Sequence, residues 1–154
     1  MIKPPITLSH LTSLVSEEIG LSDWHTMDQQ RISDFADTTE DHQFIHIDPA
    51  RADATPLGGT IAHGFLTMSM LSVMLNEAVG EIGGSSMSLN YGFNSIRFLS
   101  PVPAGARIRG RFWVASCKQR TSDQWKLTLQ VSVEIENHEK PALVAEWMIL
   151  LARA

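Results

Sequence analysis

Between Trp125 and Ile135, apolar and polar positions alternate without a break: Trp125, Leu127, Leu129, Val131, Val133 and Ile135 against Lys126, Thr128, Gln130, Ser132 and Glu134. A period of two predicts a half-buried antiparallel strand. Ile108, Phe112 and Val114 are set against Arg107, Arg109 and Arg111 in the same way, and residues 143–151 read as a further, more buried strand. Thr121-Ser122-Asp123 and Asn137-His138-Glu139-Lys140 supply the turns. Everything beyond residue 85 reads as strand.

Upstream the period lengthens. Residues 61–79 are dense in helix formers, among them Leu66, Met68, Met70, Leu71, Met74, Leu75, Glu77 and Ala78. Apolar positions on nearly every side predict one helix buried all round, after a loop at Gly58-Gly59 and ended by Gly80, Gly83 and Gly84. Met68, Met70 and Met74 read as core filler. Residues 27–37 read as a second helix, striped by Met27, Ile32, Phe35 and Ala36 with Asp28 near its start, and residues 10–16 as a short helix or turn. A buried helix followed by antiparallel strands needs a sheet wrapped around it. The expected class is therefore α+β, a hot-dog fold built as a single domain over residues 1–154.

Composition narrows the function. A chain of 154 residues with 44% apolar content is globular and large enough for a real core. A net charge of −5 argues against a nucleic-acid surface, so a phosphorylated ligand would need a local basic patch. One cysteine, Cys117, allows no intrachain disulfide and fits a reducing cytoplasm, the expected location. The start Met1-Ile2-Lys3-Pro4-Pro5 has no apolar signal region, and the longest apolar stretch is too interrupted for a membrane span. No internal repeat or linker is evident.

The candidate chemistry lies in Asp41-His42-Gln43-Phe44-Ile45-His46-Ile47-Asp48-Pro49 and in His63-Gly64. Five residues along a helix turn about 500°, which points Asp41 and His46 apart. On a strand they fall on opposite faces. They meet only across a turn or irregular loop, which Thr38, Thr39 and Pro49 permit. From spacing alone, a capping aspartate and a surface histidine is the simpler reading. His42 and His46 have the spacing of a helical metal pair, but Gln43-Phe44-Ile45 lacks the glutamate of a zinc-protease helix, so no metal is expected. No Gly-x-Ser-x-Gly occurs, and Cys117 sits in a strand pattern, which disfavours a serine or cysteine hydrolase.

Phe35-Ala36 followed by Asp41-x4-His46-x-Asp48 resembles the motif of MaoC-like dehydratases and (R)-specific enoyl-CoA hydratases. Ser22-Asp23-Trp24, Asp41-His42-Gln43, Asn90-Tyr91-Gly92 and Arg97-Phe98 with Pro101-Val102-Pro103-Ala104-Gly105 are similar to the nodulation protein N branch. The resemblance runs from about Glu18 to the C-terminus. It implies a hot-dog homodimer without cofactor, binding an acyl-CoA thioester near the subunit interface. It also implies that Asp41 and His46 are the acid/base pair, that the Gly64 N–H polarises the thioester carbonyl, and that Ser72 supports the catalytic carboxylate. The family's usual Ser-Gly-Asp-x-Asn-Pro is here Thr39-Glu40-Asp41-His42-Gln43-Phe44. Glu40 in place of glycine adds a side chain and a negative charge beside Asp41, which works against the neighbouring carboxylate or restricts the loop.

The function these residues imply is reversible addition of water to a trans-2-enoyl thioester. His46 is a suitable base because its ordinary pKa is about 6.5. Ser72 lies eight residues after Gly64, so one helix can face both to the same side, although a lone helical serine more often bonds its own backbone. His63 is read as an orienting residue or a plain helix start. Arg97 and the Arg107, Arg109, Arg111 group are candidates for CoA phosphates, but arginines on an alternating strand read first as a solvated face. Two rivals remain: a hot-dog thioesterase, and a non-catalytic acyl-CoA-binding protein.

Overall fold

In the computed structural model, which describes residues 5–153, an antiparallel sheet curls around a broken helix. Helix α1 (Leu8–Leu11) runs into a 3-10 turn over Thr12–Leu14. Two short strands follow, β1 (Glu18–Leu21) and β2 (His25–Thr26), then three helices, α2 (Gln29–Thr39), α3 (Phe44–Ile47) and α4 (Pro49–Asp53). Helices α5 (Gly64–Ser69) and α6 (Leu71–Val79) lead into four long strands, β3 (Ser85–Phe98), β4 (Arg107–Thr121), β5 (Gln124–Ile135) and β6 (Leu143–Arg153). The sheet order is β1-β4-β5-β6-β3, with β2 also pairing β4. This is the expected hot-dog arrangement.

The strand periodicity holds in space. On β6 the pattern is strict: Leu143, Ala145, Trp147, Ile149 and Leu151 are buried and their neighbours are not. On β5 the row from Leu127 to Ile135 is buried, and Thr128 on the opposite face is buried as well. These rows meet Phe112, Leu71 and Met74 in one apolar cluster. Helix α6 lies almost on the backbone of β1: a Cβ at Gly20 would come within 2.3 Å of the Ala78 carbonyl oxygen. Short β1 and β2 escape the sequence reading because two to four residues show no usable period.

The helix expected over residues 61–79 differs in two ways. It starts at Gly64 and breaks at Met70, giving two helices of six and nine residues. It is also not buried all round, since Phe65 (65% exposed) and Val73 (41%) face outward. Of the three methionines, Met74 is fully buried, and Met68 and Met70 pack partly against the core. The second helix starts two residues later than expected, because the Asp28 carboxylate accepts the Arg31 N–H at 2.8 Å as its N-cap. No helix among the described residues is long and apolar enough to cross a membrane.

Candidate active site

The site is built where α2 ends. Helix α2 closes on Glu40, which sits in the left-handed region at φ 61°, ψ 19°. That conformation suits glycine and costs an L-residue about 1–2 kcal/mol. The departure at Glu40 is therefore first a matter of backbone geometry. Reversing the chain there brings out Asp41, whose exposed carboxylate accepts the Gln43 N–H at 3.3 Å. One helical turn, α3, then swings His46 inward to 6% exposure. The surface-histidine reading is thus overturned: Asp41 is at the surface, but His46 is in the interior.

Three neighbours hold His46. Its Nδ1–H donates to the Ile61 carbonyl at 2.7 Å, which leaves Nε2 as the bare nitrogen of a neutral ring. Its own carbonyl accepts from Gln29 Nε2 at 2.8 Å, and Gln29 Oε1 in turn accepts from the Thr60 hydroxyl. Its ring stacks on His63 with centroids 3.8 Å apart and planes at 24°. Burial lowers the His46 pKa below its ordinary value; the Ile61 bond and Asp41 oppose this, and His63 adds to it. A ring held neutral in this way can accept a proton at Nε2.

His63 connects the parts. Its Nε2–H donates to the Asp41 main-chain carbonyl at 3.0 Å, and Phe35 tilts against its other side at 4.9 Å. Donor atoms of Asp41, His46 and His63 all lie within 4.8 Å of one another. That spacing also invites a metal. However, the stacked rings keep the lone pairs that remain free in near-parallel planes. A single ion needs those lone pairs to converge. The arrangement suits proton transfer better than coordination.

Beside His46 opens a cavity of about 260 Å³, lined in part by Gly64, Thr67, Phe98 and Val102. The extended segment ahead of α5 is fixed by Ile61 N–H to the Ile45 carbonyl (3.0 Å) and Ala62 N–H to the Val102 carbonyl (2.8 Å). Gly64 follows as the first residue of α5, and its N–H has no hydrogen-bond acceptor among the described residues. A Cβ there would meet the Phe98 ring at 2.9 Å, so only glycine fits without movement.

The other candidates lie elsewhere. Ser72 is exposed on α6, with no hydrogen bond to Asp41, and lines two different hollows, one of them with Tyr91 and Trp147. The break at Met70 separates it from Gly64. Arg107 pairs with Glu136, Arg109 and Arg111 share Glu134, and Arg111 also reaches Glu18 at 3.0 Å. These arginines form a paired, partly solvated ladder, as their alternation suggests, and Arg109 also lies over Trp24 at 4.4 Å. Arg97 is exposed at a separate hollow on the sheet. His42 turns outward to Asp37 at 2.9 Å, away from any metal pairing with His46. Burial pushes the Cys117 thiol pKa up, which makes it a poor nucleophile.

Sequence reasoning misses Gln29, Thr60 and Thr67. Gln29 and Thr60 act through a backbone carbonyl and an amide, and no spacing rule connects residues 31 positions apart. Thr67 had only one signal, a polar residue on a stretch otherwise suited to burial.

Comparison with known proteins gives the family. The MaoC-like domain family matches residues 11–137. Nodulation protein N of Rhizobium meliloti is 49% identical over 94% of this chain and 91% of its own length. A 3-hydroxyacyl-thioester dehydratase Z of Mycobacterium tuberculosis is 39% identical over 93% of this chain and 94% of its own. Among solved structures, an (R)-hydratase from A. caviae superposes with a TM-score of 0.69 at 25% identity, covering 87% of this chain and 96% of that one. A monoamine oxidase regulatory protein from Archaeoglobus fulgius superposes at 0.78 over 100% of this chain and 99% of its own, and at 24% identity it speaks for the fold alone. The chain belongs to the MaoC-like domain family of hydratases and dehydratases and is a hydro-lyase.

Proposed function

We propose that this hydro-lyase is an (R)-specific enoyl-CoA hydratase, or in reverse a 3-hydroxyacyl-CoA dehydratase. The observation that carries this reading is the enclosed, neutral His46 beside the Asp41 carboxylate, next to a cavity that Gly64 also lines. Water held between Asp41 and His46 loses a proton to His46 Nε2 as its oxygen bonds to the β-carbon. The alkene electrons move toward the thioester, and the negative charge on its oxygen is met by the Gly64 N–H. Losing one such donor typically costs roughly 100- to 1,000-fold in rate. The dyad then returns a proton to the α-carbon, so the elements of one water are added. The helix dipole behind Gly64 is smaller than a long helix would supply, because α5 has six residues; the unpaired N–H itself is what supports the role.

The likeness to a protein named for 3-hydroxyacyl thioesters and to an (R)-hydratase supports this substrate class. Incubation with crotonyl-CoA tests it. Hydration removes the enoyl absorbance without releasing thiol. Thiol release would identify a thioesterase instead, and tight binding with neither change would identify a non-catalytic acyl-CoA binder.

The active form is proposed to be a homodimer. Strand β3 is the sheet edge and exposes Met87, Leu89, Tyr91 and Phe98, with Phe65 beside Phe98. A long apolar edge left open invites aggregation, so a second copy covering it is the economical solution. Ser72 lies near this face, and its proposed support of a catalytic carboxylate requires such an assembly. A monomer by light scattering at micromolar concentration would refute the dimer.

A further inference from the structure

Two buried side-chain atoms near the dyad have no partner: His63 Nδ1 and Thr67 Oγ1. Their residues are 3% and 1% exposed. They stand four residues apart where the chain enters α5: His63 is the N-cap, and its carbonyl accepts the Thr67 N–H at 3.2 Å. A helical hydroxyl ordinarily satisfies itself on the carbonyl four residues back. Thr39 does so on Phe35 and Ser69 on Phe65, each at 2.7 Å. Thr67 makes no such bond. A buried hydroxyl left unpaired is costly, so its persistence calls for a reason.

The placement supplies one. Thr67 lines the same cavity as His46 and Gly64. His63 Nε2–H is committed to the Asp41 carbonyl, so in the neutral ring Nδ1 is a bare acceptor. The Thr67 hydroxyl, rotatable and on the cavity wall, can donate to the oxygen of an O–H group held there. We propose that Thr67 recognises the oxygen that the reaction adds or removes, namely the 3-hydroxyl of a hydroxyacyl thioester or the incoming water. Thr67 is then a specificity residue that separates 3-hydroxyacyl from saturated acyl thioesters. A saturated chain fills the cavity but leaves the buried Thr67 hydroxyl unpaired, and sites built around a substrate hydroxyl reject analogues lacking it. This deepens the hydratase reading and rests on it.

The test uses Thr67→Val, which keeps shape and removes the hydroxyl, and Thr67→Ser, which keeps the hydroxyl. Affinities for (R)-3-hydroxybutyryl-CoA and butyryl-CoA are measured by calorimetry in an Asp41→Asn background, so that the ligand survives the titration. Hydration of crotonyl-CoA is measured with Asp41 intact. The expected preference for the hydroxy ligand is about tenfold or more. Thr67→Val reduces it to within about twofold and lowers kcat/KM for hydration about tenfold, while Thr67→Ser restores most of both. The melting temperature of Thr67→Val does not fall, because valine fills the same space without an unpaired hydroxyl. If Thr67→Val keeps the preference and the turnover, the proposal is overturned and the hydratase reading stands. If the Asp41 protein does not hydrate crotonyl-CoA yet Thr67→Val abolishes the hydroxyl preference, the recognition site stands and the hydratase reading falls.

Discussion

The outer face of β4 and the turn that opens α5 treat polar groups in opposite ways. On β4, Arg107, Arg109 and Arg111 each find a glutamate, two of them the same one, with solvent close by. At the turn, His63 and Thr67 are far more enclosed, yet each keeps an unpartnered atom. Had the chain been shaped for stability alone, the order would be reversed, since unpaired groups cost most where water is excluded. The fold pairs these groups on the solvated strand and leaves two unpaired in the interior around His46.

That contrast can be broken from either side, most strongly at the dyad. Asp41→Asn and His46→Ala should each lower hydration of crotonyl-CoA by roughly 100- to 10,000-fold, with the circular dichroism spectrum unchanged. Near-normal turnover in either variant removes that residue from the mechanism. The next effect is on pH dependence. A base must be neutral to act, and burial lowers the His46 pKa, so the rate should be flat through neutral pH. It should fall about tenfold per unit only below the depressed pKa, on the acid side of the ordinary value. Stability carries the same sign, because the unfolded chain takes up that proton first and acid therefore favours unfolding. A rate profile whose acid limb begins above pH of about 7 would contradict the burial argument.

Smaller effects separate positioning from packing. Gln29→Leu leaves the His46 carbonyl and the Thr60 hydroxyl without their partner and should cost about 1–3 kcal/mol in denaturant unfolding, with reduced turnover. A stable variant with intact activity would show that the clamp is dispensable. Glu40→Gly should stabilise by about 1 kcal/mol, because glycine takes up the left-handed conformation freely. An unchanged or lower midpoint would mean that the Glu40 side chain compensates. Smallest of all, Glu134→Gln removes the shared partner of Arg109 and Arg111 yet should cost less than about 1 kcal/mol, since the pairs are partly solvated. Turnover should not change. A large loss of activity would assign the arginine ladder a role that its pairing does not suggest.

The long strands were legible because their signal is repetitive: each of several residues on β5 and β6 votes for the same face. The break at Met70 was not, since helix formers run through it and only the three-dimensional path forces two axes. Asp41, His46 and Gly64 were legible as a motif. The burial of His46 was not, because the spacing between Asp41 and His46 alone favours a surface pair. Glu40 was visible as a departure, but its physical meaning waited on a backbone angle. Gln29 left no trace at all, since its contribution is one side-chain amide reaching a carbonyl 17 residues away.

The sequence by itself determined the class of fold, the identity of the candidate acid/base residues and the solvated character of the arginine strand. Periodicity and residue chemistry are local properties, and they survive in one dimension. Only the tertiary structure decided that His46 is enclosed and neutral, that His63 stacks on it while holding Asp41, and that Thr67 keeps a free hydroxyl in the same cavity. Those outcomes depend on which carbonyls and rings meet from distant segments. Burial, tautomer and unpaired atoms are properties of that meeting, and no single stretch of chain contains them.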